Sequence, residues 1–448
     1  MRYAAAIAMQ QALNVTIDRV GAEGDGIATA PDGSTLYIPD TLPGEAVRAE
    51  PLRRQGDGWF ASCEEILRAS DARVAPPCRH FGACGGCVLQ HWRDADYRAW
   101  KTGLLDAALR RAGFDDPAIA PIQVTPPQSR RRMDFAARRT PQGVVVGLNR
   151  RNVPAAPART KKSQPGAIIC DLDECHVLHP TLFALVAPLR SLLSRLQSFR
   201  RDASIIGNLL DRGVDLLLRT DAALDRRDRE QLIDFARTHR LLRLAWAPMR
   251  GDPEPIVVVQ PPVVTLSGVA VEPPPGAFLQ ASREGEAAIV RAVLAGLPDK
   301  LPPRARIAEL YAGSGSITFA LAQRARVAAW EGDLAAATAL RQAANRADLA
   351  GRVDVARRDL ARQPLSATEL AGFTAVVLDP PFAGAGPQMT QIVAAKPPCI
   401  IYVSCNPAVL AHDAMMLRDA GYRLLSAVPI DQFLWSARLE SVCVLTPG

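Results

Sequence analysis

The thiol of Cys405 is the side chain in this 448-residue sequence with the clearest potential for chemistry. The apolar run 398–403 precedes it and predicts a buried strand, which the pair Asn406-Pro407 then ends. A side chain at the carboxyl end of a strand faces the crevice in which open α/β sheets bind ligands. Because cysteine is a strong nucleophile, the sequence predicts a thiol that can add to an electron-poor ring carbon in that crevice.

Two other predicted strands end in features of a cofactor site. The run 307–310 leads into the turn Gly313-Ser314-Gly315, and glycine lets the backbone approach a ligand closely. The run 327–330 ends in Glu331, an acid placed to accept hydrogen bonds from ribose hydroxyls. A dinucleotide-binding enzyme, or a Rossmann-like sheet with another cofactor, would share both features.

A third strand end favours a different cofactor. Asp379-Pro380-Pro381 follows the run 375–378 and resembles a motif of class I S-adenosylmethionine methyltransferases. Asp359 follows the run 353–355, at the place where that fold usually contacts the adenine ring. The resemblance therefore favours S-adenosylmethionine as the cofactor.

Methylation at C5 of uracil would use Cys405 together with a carboxylate. C5 is a poor nucleophile, and addition of a thiolate to C6 creates an enolate whose negative charge makes C5 able to take a methyl group. A base must then remove the C5 proton so that the thiol can be eliminated. Glu440, beside the predicted final strand 439–445, is the candidate for that base.

The chain resembles the RNA uracil-C5 methyltransferases over essentially its whole length. The matching segments are Phe278-Leu279-Gln280, Glu309 to Gly315, Glu331-Gly332, Asp379-Pro380-Pro381, Tyr402 to Pro407, and Asp431-Gln432-Phe433 leading to Glu440. The resemblance implies that Cys405 is the nucleophile and Glu440 the base. It also implies that several residues contact the cofactor, namely Gln280, Tyr311, Ser316, Glu331, Asp359 and Asp379.

The sequence departs from the usual family pattern near these motifs. Phe382 follows Asp-Pro-Pro where the family usually has arginine, and Ser316 stands where asparagine is common. Phe433-Leu434 replaces the usual Phe-Pro, and Ala437-Arg438 replaces histidines near the base. The segment Asp379 to Phe382 also resembles the motif with which amino-group N-methyltransferases orient an exocyclic amine, so that chemistry is an alternative. The changes near the base leave a second alternative, an RNA-binding protein without catalysis.

Four cysteines form a candidate metal site. Cys78, Cys84 and Cys87 lie in one glycine-rich segment, and Cys175 lies far downstream. Four thiolates suit either tetrahedral zinc or an iron–sulfur cluster, and their spacing alone leaves both open. The resemblance implies a [4Fe–4S] cluster whose fourth ligand lies in a Cys-x-x-Leu-x-Pro context, which begins here at Cys175; Cys170 is the competing fourth ligand. We expect this cluster to hold its domain together rather than to carry out redox chemistry.

Residues 12–68 predict a small all-β module. Short β-branched or aromatic runs alternate with turn residues, and Asp32-Gly33 is a typical hairpin turn. About five short strands would suit an OB-like barrel, a common nucleic-acid-binding fold. The segment from Val20 to Val47 resembles the TRAM domain, an RNA-binding module of this type; a barrel without a ligand is the alternative.

The predicted fold class is α/β, with three domains. Residues 1–68 are the TRAM or OB-like barrel, residues 69–270 a central α+β domain with the four-cysteine site, and residues 271–448 a class I, Rossmann-like methyltransferase domain. The proline-rich stretch 272–276 marks the last boundary. Strands and helices alternate from residue 283 onward, as in a mostly parallel doubly wound sheet.

Charge favours a polyanionic partner. The net charge is +7, and the basic clusters between residues 130 and 201 are Arg130–Arg132, Arg138-Arg139, Arg150-Arg151, Lys161-Lys162 and Arg200-Arg201. We expect Arg130–Arg132 and the barrel to contact RNA phosphates. A TRAM domain together with a four-cysteine site resembles the 23S rRNA enzymes, so 23S rRNA is the favoured substrate and tRNA the alternative.

Composition also bears on where the protein acts. No run of 18 apolar residues without charge is present, and the sequence shows no clear export signal. Nine cysteines in such a chain indicate metal binding or catalysis rather than a disulfide framework. We therefore expect a cytoplasmic monomer that does not enter the membrane.

Overall fold

The structure, a computed structural model, describes residues 12–151 and 168–448. Contacts within the chain divide it into two compact units. The first comprises Met1–Leu104, Asn149–Ile168 and Trp435–Arg438, and the second comprises Leu105–Leu148, Ile169–Leu434 and Leu439–Gly448, in each case as far as the described ranges reach. The basic pair Lys161-Lys162 lies outside the described residues. The two boundaries between the three predicted domains stay a prediction.

The first unit is built on a six-stranded sheet. Its strands are β1 (Leu13–Thr16), β2 (Arg19–Val20), β3 (Gly26–Thr29), β4 (Thr35–Ile38), β5 (Ala46–Gln55) and β6 (Gly58–Arg68). They lie in the order β1-β5-β6-β4-β3-β2, and β4 runs parallel to β6 while the other neighbours are antiparallel. The prediction of a β-rich amino-terminal region is confirmed.

Alternating side chains of these strands form an apolar core of their own. Val15, Leu36 and Ile38 are buried in it, because every second residue of a strand points to the same face. Asp32-Gly33 makes the predicted turn between the antiparallel strands β3 and β4. Gly33 has a φ of 84°, a left-handed conformation that glycine adopts without strain.

Arg151 ties a later segment of the chain to this sheet within the first unit. Its guanidinium contacts Asp25 Oδ1 at 2.7 Å and Asp40 Oδ1 at 2.6 Å, and its side chain is only 9% exposed. This member of the predicted basic clusters therefore stabilises the fold. The helix α1 (Asp94–Arg111) begins in the same unit.

The second unit contains a seven-stranded sheet. After the short strand β7 (Gln123–Val124), its elements are β8 (Arg132–Thr140), β9 (Gly143–Asn149), β10 (Ile169–Asp171), α2 (Pro180–Phe183), α3 (Val186–Arg195), β11 (Asp202–Leu209), β12 (Val214–Thr220), α4 (Arg226–Thr238), β13 (Arg243–Pro248) and β14 (Glu254–Val258). The strand order is β10-β9-β8-β11-β12-β13-β14. The parallel neighbours β12 and β13 are joined through α4, because parallel strands need a long crossover connection.

Arg138 and Arg139, another predicted basic cluster, also stabilise this unit. Arg139 donates hydrogen bonds to the carbonyls of Leu193 at 2.9 Å and Ser194 at 3.2 Å, which are among the last carbonyls of α3. Arg138 contacts Asp202 Oδ1 at 2.7 Å. The two guanidinium groups are thus engaged by the protein itself.

The remainder of the second unit forms a small hairpin and an eight-stranded sheet. Its elements are β15 (Val264–Leu266), β16 (Val269–Val271), α5 (Arg283–Gly296), β17 (Arg306–Leu310), α6 (Thr318–Ala322), β18 (Arg326–Glu331), α7 (Leu334–Arg346), β19 (Val353–Arg357), α8 (Ala367–Leu370), β20 (Ala375–Leu378), α9 (Pro387–Ala395), β21 (Ile400–Ser404), α10 (Pro407–Asp419), β22 (Tyr422–Asp431) and β23 (Glu440–Pro447). Ile307, Val377 and Ile401 lie in its apolar core. These apolar strands are those that the sequence predicts.

The order of the eight strands creates a ligand-binding crevice. It is β19-β18-β17-β20-β21-β23-β22-β7, with parallel pairing from β19 to β21 and antiparallel pairing of β23 with both β21 and β22. The chain order reverses between β17 and β20, and open sheets bind ligands at the carboxyl ends of strands beside such a switch. Within the described ranges, no helix is both long and apolar enough to cross a bilayer.

Candidate active site

The glycine turn after β17 has the backbone of a ligand-binding loop. Tyr311 has a φ of 63°, a left-handed conformation that is unfavourable for a bulky side chain, and Gly313 and Gly315 have φ values of 57° and 105°. A Cβ atom added at Gly313 would meet no non-neighbouring atom of the described residues within 4 Å. Open space therefore lies over this part of the turn.

Glu331 holds this turn from the end of β18. Its Oε2 accepts a hydrogen bond from the backbone N–H of Gly313 at 2.7 Å, and its Oε1 accepts one from the backbone N–H of Asp333 at 2.7 Å. Each carboxylate oxygen still has a lone pair for another donor. Glu331 can thus order the turn and accept hydrogen bonds from ligand hydroxyls at the same time.

Cys405 lies between the end of β21 and the start of α10. Asn406 caps the helix, because its Oδ1 accepts a hydrogen bond from the backbone N–H of Ala408 at 3.1 Å. Its Nδ2 donates to the carbonyl of Phe382 at 3.0 Å, which joins the loop after β20 to the loop after β21. The Asn-Pro pair therefore fixes the backbone on which the thiol is carried.

The exposure of Cys405 differs from that of the two cysteines in the neighbouring strands. Cys405 is partly exposed, whereas Cys399 and Cys443 are buried. Burial raises the pKa of Cys399 to about 11 and that of Cys443 to about 12, so these thiols stay neutral and unreactive. Of these three thiols, Cys405 is the one that a substrate can reach.

The pairing of β21 with β23 brings the predicted nucleophile and base to one corner of the sheet. Ser404 pairs with Ser441, and the Ser441 hydroxyl donates a hydrogen bond to the Ser404 carbonyl at 3.2 Å. Cys405 comes directly after Ser404, and Glu440 comes directly before Ser441. Because the two strands are antiparallel, both residues lie one position beyond the pair in the same direction. The two side chains are therefore carried by facing positions at the end of the ladder.

Two carboxyl groups with raised pKa values lie near this corner. Glu440 is 3% exposed, and burial raises its pKa from 4.5 to about 8, with a further increase from the nearby Asp379. Loss of hydration also raises the pKa of Asp379, at the end of β20, from 3.8 to about 7. Ionisation of one group opposes ionisation of the other. A carboxyl group with such a pKa is suited to accept a proton near neutral pH.

A chain of amide hydrogen bonds joins the two carboxyl groups. Gln280 Nε2 donates to Asp379 Oδ2 at 3.1 Å, and Gln432 Nε2 donates to Gln280 Oε1 at 2.8 Å. Gln432 Nε2 also donates to Glu440 Oε2 at 2.8 Å. Both glutamines are buried, so these bonds lie where water does not compete with them.

Arg131 is a structural residue of this site. Its Nε donates to the Gln280 carbonyl at 3.1 Å, and its Nη2 contacts Glu286 Oε2 at 2.6 Å. The same Glu286 oxygen accepts a hydrogen bond from the Ser316 hydroxyl at 3.0 Å. The expectation that Arg130–Arg132 contact phosphates is wrong for Arg131, because a guanidinium that is 2% exposed and already paired does not reach the surface.

The other predicted cofactor residues occupy different environments at the same sheet edge. The Tyr311 hydroxyl donates to the Ala385 carbonyl at 3.2 Å, and burial raises the pKa of Tyr311 to about 12. Asp359 is exposed, and its Oδ1 accepts a hydrogen bond from the backbone N–H of Ala361 at 3.1 Å. The structure thus connects Gln280 with Asp379 directly, while the roles predicted for the six cofactor residues stay predictions.

The predicted metal site is not confirmed. Cys78, Cys84 and Cys87 belong to the first unit, and Cys175 and the competing Cys170 belong to the second. Across residues 12–151 and 168–448, no group of three or more His, Cys, Asp or Glu side chains is arranged to hold a metal ion.

Two of the predicted ligand sulfurs do accept backbone hydrogen bonds. Cys84 Sγ accepts one from Gly86 at 3.4 Å, and Cys175 Sγ accepts one from Leu178 at 3.3 Å. Hydrogen bonds of this kind to cysteine sulfur also occur around iron–sulfur clusters.

Sequence reasoning missed Gln432 and Arg131 as members of the site. Gln432 belongs to a segment that resembles the family, but nothing in its local sequence indicates the contacts of its amide. The burial of Arg131 is indicated by the strand pattern that follows it, although its place in a basic run suggests a surface position. Met133 and Phe135 are buried on β8, and the two-residue period of a strand extends that buried face back to Arg131.

Comparison with known proteins is consistent with this geometry. A profile of the family described as tRNA (Uracil-5-)-methyltransferase matches residues 303–447. An RNA methyltransferase of Brucella suis, itself described as uncharacterized, is 38% identical over 434 residues, which are 97% of this chain and 98% of that protein. A 23S rRNA (uracil(1939)-C(5))-methyltransferase of Chromohalobacter salexigens is 32% identical over 452 residues, covering 96% of this chain and 89% of that protein.

A solved structure shares the fold. The tRNA (uracil-54, C5)-methyltransferase of Pyrococcus abyssi, in complex with S-adenosyl-L-homocysteine, matches with a TM-score of 0.70. The match covers 97% of the present chain and 100% of the Pyrococcus abyssi chain, and the two sequences are 20% identical. The likeness confirms a mixed α/β fold with a β-rich amino-terminal region.

Proposed function

The chain belongs to the RNA uracil-C5 methyltransferase family and is an enzyme of that class, and we propose that it methylates C5 of a uridine in 23S rRNA with S-adenosylmethionine as the methyl donor. The observation that carries the proposal is the register of β21 and β23, in which Ser404 pairs with Ser441, Cys405 comes directly after Ser404, and Glu440 comes directly before Ser441. The relative from Chromohalobacter salexigens, named for 23S rRNA, supports this choice of RNA. A tRNA substrate is the second candidate, since the Pyrococcus abyssi enzyme of the same fold is named for tRNA.

Cys405 and Glu440 would divide the chemistry between them. Sγ of Cys405 forms a bond to C6 of the uracil ring, and the electrons of the C5–C6 double bond move into an enolate. C5 would use that electron pair to form its bond to the methyl carbon. The bond between that carbon and the sulfonium sulfur of the donor would break with its electrons passing to sulfur, and S-adenosylhomocysteine would leave. Glu440 then takes the C5 proton, the C5–C6 double bond re-forms, and Sγ leaves with the electrons of the C6–S bond.

The acidic crevice suits a cationic methyl donor. S-adenosylmethionine supplies a methyl group on a sulfonium ion. Glu331 would accept hydrogen bonds from its ribose hydroxyls, and Asp379 and Glu309 would stabilise its positive charge. Burial raises the pKa of Glu309 to about 8, and its Oε2 has no hydrogen-bond partner among the described residues. A buried, unsatisfied carboxyl group of this kind favours a ligand that brings positive charge.

An exposed aromatic ring supports binding of an unstacked base. The Phe278 side chain is 68% exposed, and the Arg132 guanidinium lies 5.1 Å from the centre of its ring. Proteins stack splayed-out RNA bases on such aromatic and arginine planes. An open cavity of about 700 Å³ has Arg212 and Arg283 in its lining; Arg283 is paired with Asp211 at 2.9 Å, and Arg212 offers positive charge for a flanking phosphate.

The sheet of the first unit supports a second RNA-binding element. Arg53 lies 4.5 Å from the centre of the Phe60 ring, and Arg54 lies 4.4 Å from that of Trp59. These pairs join β5 to β6, and the exposed Arg53 and Arg54 lie beside the partly exposed Trp59 ring, a combination that single-stranded RNA sites use. We therefore assign this sheet the TRAM-type role that its sequence resembles.

Direct methylation of candidate RNAs tests the proposed substrate. The purified protein and S-adenosylmethionine are incubated with 23S rRNA and with total tRNA from a strain that lacks the gene, and 5-methyluridine is mapped in each. We expect methylation of one or a few uridines in 23S rRNA. Methylation of tRNA alone would replace the substrate, and a methylated amino group in place of 5-methyluridine would overturn the proposed chemistry.

The four cysteines are proposed to hold a [4Fe–4S] cluster. This proposal rests on the resemblance and on the hydrogen bonds that the sulfurs of Cys84 and Cys175 accept. The expected role of the cluster is structural rather than redox chemistry.

Metal analysis tests this assignment. Protein purified without oxygen is expected to contain about four iron and four sulfide ions per chain. The Cys175→Ala variant should lose them, and the Cys170→Ala variant should keep them. Stoichiometric zinc without sulfide would favour the zinc alternative, and protein that folds fully without either metal would contradict a structural cluster.

A further inference from the structure

We propose that Gln432 is a positioning residue for removal of the C5 proton: its amide holds one oxygen of Glu440 and turns the amide of Gln280 toward Asp379. The inference rests on the proposed function and adds to it a residue that acts through the base. Gln432 lies in the loop between β22 and β23 and is 3% exposed. Its side chain therefore lies inside the protein, in contact with Glu440.

One backbone group fixes the orientation of the Gln432 amide. The backbone N–H of Ala281 donates to Gln432 Oε1 at 3.0 Å. A backbone N–H is a donor only, so the atom that faces it must be the amide oxygen. The NH₂ group must then face the other way, where Gln280 Oε1 and Glu440 Oε2 each lie 2.8 Å from Nε2. Both of its hydrogens are used, and the reversed amide would lose all three bonds.

The same orientation is passed on to Gln280. Its Oε1 accepts the hydrogen bond from Gln432, so its Nε2 is presented to Asp379 Oδ2 at 3.1 Å. Its backbone carbonyl accepts a hydrogen bond from Arg131 Nε at 3.1 Å, which holds the segment from the other side. The direction of every bond between the two carboxyl groups thus follows from the Ala281 N–H.

Gly285 of helix α5 leaves space for the Gln432 side chain. A Cβ atom at Gly285 would lie 2.7 Å from Gln432 Cβ and 2.8 Å from its Oε1, and both distances are shorter than atoms tolerate. Glycine in the first turn of a helix is otherwise unfavourable relative to alanine by about 1 kcal/mol. The absence of a side chain at Gly285 therefore matches the space that Gln432 occupies.

The contact leaves Glu440 with one oxygen for the substrate. Oε2 accepts the Gln432 hydrogen bond, and Oε1 has no partner among the described residues. The C5–H bond breaks with its proton passing to Oε1, its electron pair re-forms the C5–C6 double bond, and the C6–S electrons return to Cys405. A donor on Oε2 favours the ionised carboxylate that this step needs and keeps Oε1 facing one way.

The Gln432→Met variant separates this role from a general structural one. Methionine keeps the length of the side chain and removes the hydrogen bonds. Turnover of uridine-containing RNA should fall about 100-fold, as expected for impaired general base catalysis. Formation of the covalent adduct with 5-fluorouridine-containing RNA, which needs no proton removal, should stay within about threefold of the wild-type rate, and an adduct should accumulate on the uridine RNA.

Two further variants guard against a folding defect. Gly285→Ala keeps the amide but displaces it, and it should give the same partition between adduct formation and turnover. Gln388→Met is the matched control, because Gln388 is also a buried glutamine. Its Oε1 accepts a hydrogen bond from the backbone N–H of Leu365 at 2.7 Å, and its Nε2 donates one to the Leu365 carbonyl at 3.1 Å. The Gln388→Met variant should be less stable than the wild type. Its ratio of turnover to adduct formation should equal that of the wild type.

The outcomes distinguish the inference from the proposed function. Unchanged turnover in Gln432→Met, or equal losses in turnover and adduct formation, would overturn the positioning role. A wild-type protein that forms no adduct with the 5-fluorouridine RNA would instead overturn the proposed function. If turnover relative to adduct formation fell as much in Gln388→Met as in Gln432→Met, that result would also contradict a role specific to Gln432.

Discussion

Replacing Glu440 by glutamine is expected to stop the enzyme after methyl transfer and to leave it covalently attached to its RNA. The E440Q side chain keeps the shape of the base but does not accept the C5 proton, so C6–S cleavage is blocked. Turnover should fall by about 10³- to 10⁴-fold, the upper range for general base catalysis. A gel that resolves denatured protein from RNA–protein adducts, with a labelled methyl group, measures both effects.

The same variant should be more stable than the wild type at alkaline pH. The folded protein raises the pKa of Glu440 from 4.5 to about 8. Between these values the folded state binds a proton that the unfolded chain has lost, so the free energy of unfolding falls as pH rises through this window and levels off above it. E440Q lacks this loss, and its advantage at about pH 8.5 should be on the order of 5 kcal/mol.

Glu284→Gln is the control for both effects. Glu284 lies exposed on the first turn of α5, close in the chain to Gln280 but outside the site. Its substitution should change neither turnover nor the pH dependence of unfolding. An E440Q variant that turns over normally would remove Glu440 from the role of base. Equal pH dependence in E440Q and wild type would show that Glu440 is ionised and hydrated in the folded state.

Replacing Cys405 by alanine should abolish methylation altogether. Without a thiolate at C6, C5 of uracil has no electron pair to offer the methyl group, and a loss on the order of 10⁴-fold or more is expected. Binding of S-adenosylmethionine and of RNA should be retained, because Cys405 is partly exposed and Asn406 still caps α10. Calorimetry for the methyl donor and a methylation assay on the same protein separate binding from chemistry.

Cys399→Ala is the matched control for this experiment. Cys399 lies just before the same strand β21, but burial raises its pKa to about 11 and keeps its thiol neutral. The variant should lose some stability and keep its turnover. A Cys405→Ala protein that methylated RNA at the wild-type rate would favour the amino-group alternative, whose chemistry needs no thiol.

The sequence predicts those parts of the fold that depend on local pattern. The runs before Tyr311, Glu331 and Asp379 are strands of the parallel sheet, and each is short and rich in aliphatic residues. The Asp32-Gly33 turn is predictable for the same reason, since its backbone conformation depends on the residues within it. Such features need no knowledge of distant contacts.

The arrangement of the site depends on pairings that no local pattern contains. The final strand β23 inserts between β21 and β22, and only this order puts Glu440 across from Cys405. Gln432 meets Gln280 although 152 positions separate them in the chain. Arg131 reads as part of a basic surface run but lies buried beneath Gln280, because strand periodicity outweighs charge at that position.

The covalent bond between protein and pyrimidine is the central claim, and a fluorinated substrate tests it most directly. With fluorine at C5 there is no proton to remove, so the methylated ring stays bound to the thiol. After incubation with S-adenosylmethionine and a 5-fluorouridine form of an RNA that the enzyme methylates, digestion and mass spectrometry should locate the modified nucleotide on Cys405. Attachment at another residue, or no attachment despite methylation of the matched uridine RNA, would contradict the account.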